Sequence, residues 1–321
     1  MKAFIFIPDT NKSAGLGHLF RCYQYSNFVK SDYKIIFLIQ KSFKKNYLKS
    51  RNARLKKINY IFFSDLKKIL TTLKNKYEIN CTFLDSYNKK IHSIDFNTYS
   101  KNHVVILDFK IRNNAKFILD HTFRRRRNFH KMKMQKNLYI GHKNFPIFKK
   151  ISLKTRKTIL IDFGSIRNKK LIFKSLLFLK NLNLNLSFKI IVINKFFNKK
   201  DITIINIPNE VICYKFFNNI HKIYENLFFA IGACGISLYE KCFYHIPTIA
   251  KSVAKNQNSN FINFSSVNCI LDFDKEIKTN LKKSINIEKF FNRIKNTERK
   301  LKNYFNYNKN KIHLNNLFKK L

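Results

Sequence analysis

The feature that most limits the folds open to this chain is a strict alternation of short β-branched runs and longer amphipathic runs. In the first half, four continuous apolar segments have the composition of buried parallel strands: AFIFIP (3–8), KIIFLIQ (34–40), CTFLDSY (81–87) and HVVILDF (103–109). Between them, residues 17–30 and 64–77 carry apolar side chains at helical spacing. The pattern predicts an α/β unit with a parallel sheet.

A second series of the same kind begins at KTILIDFG (157–164). It predicts strands and helices in turn over the following segments: helix 171–182, strands 187–193 and 201–207, helix 220–227, strand 228–233, helix 236–245 and strand 246–251. The polar, lysine-rich residues 287–321 are predicted to form one closing helix that packs across the domains.

Two alternating series in 321 residues exceed what a single hydrophobic core usually holds. We therefore expect two doubly wound, Rossmann-like α/β domains facing a cleft. Pro146 and the mixed basic stretch 142–156 interrupt the alternation. The expected boundaries are an N-terminal domain at 1–150 and a C-terminal domain at 151–321, whose last helix crosses over.

The formal charge is +46, from 64 basic and 18 acidic residues, which by itself suggests a nucleic-acid or anionic membrane surface. Lys, Asn, Ile, Phe and Tyr are abundant everywhere, however, while Trp is absent, as in a protein encoded by an AT-rich genome. Only residues 123–136 form a dense basic block, and that block lacks the interleaved aromatics of a stacking platform. We expect no specific nucleic acid, with a basic RNA-binding protein as the alternative of another class.

The six cysteines form no CxxC pair and no metal-ligand spacing, and no Asp/His cluster has ligand spacing, so no metal is expected. No cofactor is expected either. The first apolar run stops at Pro8, which does not match a signal peptide. The longest apolar stretch, residues 227–239, is too short to span a bilayer. The expectation is a reduced, cytoplasmic protein without membrane insertion, with a monomer favoured.

The first chemically suggestive segment is the loop SAGLGHLFRC at residues 13–22, directly after the first predicted strand. Gly15 and Gly17 let the backbone approach a ligand closely, and the helix that begins here presents unpaired amides. His18 falls in the first helical turn, where the helix dipole disfavours the imidazolium and suits a histidine that accepts a proton. The alternative is a glycine-rich turn with an incidental histidine, because short glycine motifs are weak signals.

The second such segment is IGACGISLYE at residues 231–240. Gly232 and Gly235, with small neighbours and an open helix amino terminus, predict a cradle for a diphosphate. Ser237 follows in the first turn, and Glu240 one turn later is spaced to accept hydrogen bonds from two ribose hydroxyls. The plainer alternative is a tight strand-to-helix connection with a solvated glutamate.

The two loops together resemble a known family. GxGHxxRC at 15–22, paired with IGAxGxSxxE-K/R-C from residue 231, Pro247 and the pair Asn256-Gln257, is similar to the UDP-sugar hydrolases of pseudaminic acid biosynthesis. Those enzymes are related to GT-B glycosyltransferases. The resemblance implies a GT-B-like fold and metal-independent hydrolysis of a UDP-linked 2,4-diacetamido-2,4,6-trideoxy sugar. The free sugar would serve nonulosonic acid synthesis for cell-surface glycans such as glycosylated flagellin.

The resemblance also implies residue roles. His18 would be the general base that activates water. UDP would be held mainly by the helix that begins within the second segment, residues 231–240, which we call loop two. The implied substrate contacts are Gly15, Gly17, Arg21, Lys149, Gly232, Gly235, Ser237, Glu240, Asn256 and Gln257.

The chain departs from the family pattern at Phe109, Lys149, Cys234 and Ile236. These departures leave open which sugar is bound and whether the family's full activity is present, and they do not involve His18. A histidine base serves a hydroxyl acceptor as readily as water. A GT-B glycosyltransferase with a UDP-sugar donor is therefore the alternative enzyme.

Overall fold

The computed structural model describes residues 1–10, 17–43, 59–107, 115–126, 137–147, 149–164, 169–217, 219–280 and 285–321. The chain divides into two compact units. Unit 1 is Met1–Phe148 together with Asn308–Leu321, and unit 2 is Lys149–Tyr307. Each unit contains one parallel sheet with helices, which confirms the α/β class expected from the alternation.

The described residues of unit 1 form seven strands: β1 (Lys2–Pro8), β2 (Lys34–Gln40), β3 (Asn59–Phe63), β4 (Glu78–Asp85), β5 (Asn102–Ile106), β6 (Phe117–Asp120) and β7 (Leu138–Ile140). They pair in the order β3-β2-β1-β4-β5-β6-β7, and every pair is parallel. The order reverses between β1 and β4. In open α/β sheets, ligands bind outside the carboxyl ends of the strands at this topological switch point.

The helices that follow β1, β3 and β4 are α1 (Gly17–Ser26), α2 (Leu66–Lys76) and α3 (Lys89–His92). Helix α2 begins at its cap Asp65, whose side chain accepts a hydrogen bond from the Lys68 amide at 3.1 Å. The buried strands are packed through phenylalanines: Phe6 stacks on Phe37 at 5.1 Å and on Phe83 at 5.2 Å between ring centroids.

In the ranges of unit 2 that the structure describes there are six strands: β8 (Thr158–Asp162), β9 (Lys189–Ile193), β10 (Val211–Tyr214), β11 (Leu227–Ala233), β12 (Thr248–Lys251) and β13 (Leu271–Asp272). Their order is β10-β9-β8-β11-β12-β13, again all parallel. Its switch point lies between β8 and β11. Both sheets therefore have the strand order of a dinucleotide-binding fold.

The helices of unit 2 are α4 (Lys169–Asn181), α5 (Lys199–Thr203), α6 (Ile220–Tyr224), α7 (Ile236–Phe243), α8 (Asn258–Ser265), α9 (Phe273–Asn280) and α10 (Ile287–Tyr304). The core joins α4 and α10 to the sheet, with Phe290 lying 5.6 Å from both Phe178 and Phe229. In the part of the chain that the structure describes, no helix is long and apolar enough to cross a membrane.

The strand predicted at 201–207 is wrong, because local polar groups favour a helix there. The Asn198 side chain accepts from the Asp201 amide, and the Asp201 carboxylate accepts from the Asn198 amide, which makes a capping box for α5. Asn206 then takes a left-handed conformation with φ of 47°, which no strand interior adopts. The edge of the sheet is formed instead by β10.

The single closing helix predicted at 287–321 is also wrong, since the segment forms two helices. Helix α10 ends at Tyr304, and α11 spans Tyr307–Lys320. Between them Phe305 is extended and 1% exposed, and its ring packs against Phe243 at 5.1 Å and Phe264 at 5.9 Å. Burial of this aromatic ring ends the first helix. Helix α11 then contributes apolar residues to the core of unit 1, where Phe318 stacks on Phe83.

Candidate functional site

The switch point of unit 1 is closed by hydrogen bonds between the loops that follow β1 and β4. The Asp9 amide donates to the Asp85 carbonyl at 2.7 Å. The Asp9 carboxylate accepts from the Ser86 hydroxyl at 3.1 Å and from the Tyr87 amide at 3.0 Å. Two loops that are distant in sequence are thereby held together where a ligand of this fold would bind.

His18 and Asp85 form a buried pair at this point. Nδ1 of His18 lies 2.7 Å from Oδ1 of Asp85, and the two residues are 7% and 1% exposed. Because an ionised carboxylate only accepts hydrogen bonds, we assign the imidazole proton to Nδ1. Nε2 then keeps a lone pair that can accept a proton. The Tyr87 ring meets the imidazole edge-on at 4.7 Å and restricts its rotation.

Arg21 grips the same carboxylate with two parallel hydrogen bonds. Its Nε donates to Oδ2 of Asp85 at 2.7 Å, and its Nη2 donates to Oδ1 at 2.6 Å. Burial alone would raise the pKa of Asp85, but the Arg21 guanidinium and His18 outweigh it and hold that pKa well below its usual range. Arg21 is itself 2% exposed. Sequence reasoning predicted that Arg21 contacts substrate; in the structure its guanidinium holds Asp85.

His121 completes the group and, like Asp85, was not among the predicted site residues. Its Nε2 accepts from Nη1 of Arg21 at 3.1 Å. Burial, reinforced by Arg21, lowers the pKa of His121 to about 3, so this imidazole is neutral. A sequence signal existed for both residues, because Asp85 ends β4 and His121 directly follows β6. Polar residues at the carboxyl ends of buried parallel strands meet at one edge of a sheet.

In unit 2, the structure brings Gly235 and Gln257 together at the amino terminus of α7. Gly235 is the helix cap and has no side chain to satisfy the amides of the first turn, where Ser237 lies. A Cβ built on Gly235 would stand 3.4 Å from Nε2 of Gln257. Oε1 of Gln257 accepts from the Val253 amide at 3.2 Å, which fixes the side chain. Asn256 is exposed on the same 3₁₀ turn.

Gly232 has a packing reason to be glycine. A Cβ at this position would lie 2.2 Å from the Asp162 carbonyl oxygen on the neighbouring strand β8. No side chain fits there without moving the backbone. Contact of Gly232 with a ligand stays a prediction, as it does for Gly17, which begins α1.

Glu240 and Lys149 were predicted to bind substrate, and the structure places them in different surroundings. Glu240 is half-buried on α7, with the Tyr224 hydroxyl 3.5 Å from its Oε2. The Lys149 ammonium lies 4.0 Å from the Glu225 carboxylate. The backbone carbonyl of Lys149 accepts a hydrogen bond from the Tyr244 hydroxyl at 2.7 Å. Lys149 thus contacts Glu225 and Tyr244, whereas Glu240 lies on α7, the helix capped by Gly235.

Sequence reasoning missed the residues that brace loop two. Nδ2 of Asn260 donates to the Cys234 carbonyl at 3.1 Å, and the Tyr239 hydroxyl donates to Oδ1 of Asn260 at 2.8 Å. The carbonyl of the residue before the helix cap is thereby held by α8. No local sequence motif predicts this contact, because Asn260 lies 26 positions from Cys234.

Several residues of the sequence predictions fall outside the described residues: Gly15, Phe109, and residues 127–136 of the basic block. Within the described residues, Arg125 of that block pairs with the buried Asp120 at 3.0 Å. Over the same ranges, no group of three or more His, Cys, Asp or Glu side chains has the arrangement of a metal site.

No family model matches the chain, and no curated protein sequence matches it. Solved structures do. MurG of Acinetobacter baumannii is similar with a TM-score of 0.63 at 13% identity, over 100% of this chain and 99% of that one. UGT2 of Phytolacca americana, solved with UDP-2-fluoro-glucose and pterostilbene, has a TM-score of 0.64 at 11% identity, over 95% and 94%.

A UDP-glucosyltransferase from Polygonum tinctorium has a TM-score of 0.62 at 10% identity, over 99% of this chain and 98% of that one. At such identities the likeness concerns the fold. Together with the strand order of both sheets, it shows that this chain has a GT-B-like fold.

Proposed function

We propose that this protein hydrolyses a UDP-linked 2,4-diacetamido-2,4,6-trideoxy sugar and releases UDP and the free sugar, with His18 as the general base. One observation carries the proposal: Nδ1 of His18 lies 2.7 Å from the buried Asp85 carboxylate at the switch point of a Rossmann-like sheet. A histidine oriented in this way by a carboxylate is a common proton acceptor in enzymes.

The reaction needs little covalent help from the protein, because UDP is a good leaving group. The oxygen of a water molecule would form a bond to the anomeric carbon, and its proton would pass to Nε2 of His18. The electron pair of the breaking carbon–oxygen bond would leave with UDP. Asp85 would stabilise the imidazolium that forms, and Arg21 would keep the carboxylate ionised and in place.

Unit 2 supplies the features expected for the nucleotide. The uncapped first turn of α7 would accept the diphosphate through backbone amides, and Glu240 would accept hydrogen bonds from the ribose hydroxyls. Gln257, packed beside Gly235, is placed to approach a group bound at that turn. The bound UDP-sugar of the Phytolacca americana structure supports a nucleotide sugar as ligand.

A transferase that uses a UDP-sugar donor is the second candidate, and the similar UDP-glucosyltransferase favours it. The proposed base would act on an acceptor hydroxyl in the same way as on water. The two readings differ only in which oxygen reaches the anomeric carbon.

Incubation in ¹⁸O-water separates the two. The substrate panel would contain UDP-2,4-diacetamido-2,4,6-trideoxy-altropyranose, UDP-N-acetylglucosamine and UDP-glucose. Hydrolysis predicts UDP release without an acceptor, with ¹⁸O in the free sugar and none in UDP, for the diacetamido sugar above the other two. Release that needs an added acceptor would establish the transferase, and ¹⁸O in the nucleotide would contradict attack at the anomeric carbon.

A further inference from the structure

Lys241 on α7 is a lysine in an unusual position. Its side chain is fully buried, at 0% exposure. Within the residues that the structure describes, Nζ has no hydrogen-bond partner. Lysine is almost never fully buried unless it is paired, and an ammonium held away from water without hydrogen bonds costs free energy. A buried lysine without hydrogen bonds is therefore expected to have a function that compensates for this cost.

The side chain reaches back along the helix to the switch point of unit 2. Side chains on a helix lean toward its amino terminus, and Nζ of Lys241 lies 3.6 Å from the position that a Cβ on Gly232 would occupy. Gly232 pairs with Asp162 across β11 and β8. The ammonium therefore sits beneath the carboxyl ends of the two central strands, next to the turn that leads into α7.

The groups around Lys241 do not neutralise it by direct contact. The ionisable side chains that act on it are Asp162 at the end of β8, Cys234 in the turn before α7, and Glu240 and Cys242 on α7 itself. The Asp162 carboxylate is instead engaged by the Gly164 amide at 2.8 Å. Burial lowers the pKa of Lys241, and the nearby carboxylates only partly oppose this effect.

We propose that Lys241 is the buried counter-charge for the diphosphate of a nucleotide held at the amino terminus of α7, and thereby determines the preference for diphosphate-bearing ligands. The proposal rests on the proposed function for the presence of a nucleotide. Lys241 would act from beneath the turn through its electrostatic field and would not touch the ligand. In a site shielded from water this field is weakened far less than that of a surface lysine.

A purely structural role predicts different behaviour. Replacing an unpaired buried charge by an apolar side chain of similar volume is often neutral or stabilising. If Lys241 serves a ligand, Lys241→Met should melt at the same temperature as the wild type or higher, and yet bind the diphosphate less well. If Lys241 serves the fold, the same variant should melt lower.

The test is isothermal titration calorimetry with UDP and uridine on the wild type, Lys241→Met and Lys222→Met. Lys222 is an exposed lysine on α6, so its replacement removes the same charge from the surface. For Lys241→Met we expect UDP affinity to fall by about tenfold to a hundredfold, with uridine affinity changed by less than about twofold. Lys222→Met should leave both affinities near those of the wild type.

Three other outcomes overturn the proposal. A folded Lys241→Met protein that binds UDP with wild-type affinity refutes the proposed role of Lys241 and leaves the proposed function of the protein unaffected. Equal losses for UDP and uridine refute the diphosphate preference. A wild type that binds no UDP refutes the proposed function and this inference with it. If Lys241→Met does not fold, the same titrations on Lys241→Gln, which also lacks the charge, decide the question.

Discussion

The two sheets reverse their strand order at equivalent places, yet the buried charged side chains at the two switch points differ in their hydrogen bonding. In unit 1, the Asp85 carboxylate accepts hydrogen bonds from His18 and from two nitrogens of Arg21. In unit 2, the Lys241 ammonium is as deeply buried and has no hydrogen-bond partner within the described residues. One charge is fully satisfied by the protein, and the other is not.

The difference separates a preorganised group from one that awaits a ligand. A satisfied network holds its members in a single geometry, which suits a base that must already be oriented when substrate arrives. An unsatisfied charge costs stability until an opposite charge arrives, so part of the binding energy of an anion relieves that cost.

Replacing His18 should produce the largest change in activity. In His18→Asn we expect kcat to fall by about 10²–10⁴-fold, because the general base is lost. KM should change little, since the proton moves only in the transition state. Steady-state UDP release from the substrate that the wild type prefers would measure both constants, and circular dichroism would measure the melting temperature.

The matched control is His313→Asn, which removes another histidine hydrogen bond of unit 1, that of Nε2 to the Asn144 side chain at 2.8 Å. It should keep near wild-type turnover. A well-folded His18→Asn protein with near wild-type turnover would show that His18 is not the base.

Replacing Asp85 tests the satisfied network through stability. Asp85→Asn keeps the shape of the side chain but leaves the Arg21 guanidinium buried without its counter-charge, which should cost about 3–5 kcal/mol in free energy of unfolding. Urea denaturation would measure it. The control Asp65→Asn changes an exposed helix cap, where Asn and Asp are nearly equivalent, and should stay within about 0.5 kcal/mol.

The same pair of proteins predicts a difference in acid. Because the pKa of Asp85 is depressed in the folded state, its contribution to stability is present above the unfolded-state pKa and is lost as pH falls below it. The wild type should therefore lose stability more steeply than Asp85→Asn as pH falls below about 4. Parallel acid curves for the two proteins would contradict a paired, ionised Asp85.

Replacing Glu240 tests nucleotide binding in unit 2. Glu240→Ala should weaken UDP binding by about 1.5–3 kcal/mol, the value of hydrogen bonds to a charged group. Calorimetric titration with UDP would measure the loss. The control Glu210→Ala removes an exposed carboxylate paired with Lys189 at 2.9 Å and should leave UDP affinity unchanged. Unchanged UDP affinity in Glu240→Ala would show that Glu240 does not bind the nucleotide.

Alanine substitution at the two glycines of loop two should reduce stability by different amounts. Gly232→Ala places a Cβ 2.2 Å from the Asp162 carbonyl, so the sheet must shift at a cost of about 1–3 kcal/mol in unfolding free energy. Gly235→Ala meets only the flexible Gln257 side chain at 3.4 Å and should cost less. Thermal unfolding of both variants measures the difference. Equal stability would show that Gly232 has no packing role.

The class of fold and the positions of the two loops follow from local sequence patterns. Continuous apolar runs such as β1 and β11 predict buried strands, and apolar residues at helical spacing predict α1 and α7, because both patterns are local. The same patterns place His18 in the first turn of a helix after a central strand. They do not predict α5 or the break at Phe305, where capping groups and aromatic burial outweigh periodicity.

Which charged groups meet depends on the three-dimensional arrangement of the strands. Asp85 lies 67 positions from His18 and His121 lies 100 positions from Arg21, so no local pattern joins them. They meet because the parallel order β1-β4-β5-β6 places the carboxyl ends of β1, β4 and β6 at the same edge of one sheet. In the sequence, Lys241 is the basic position of the motif IGAxGxSxxE-K/R-C and has no predicted role, and only its burial beside Gly232 sets it apart from the other basic residues. Strand order is set by packing across the whole chain, and it is strand order that assembles both groups of charges.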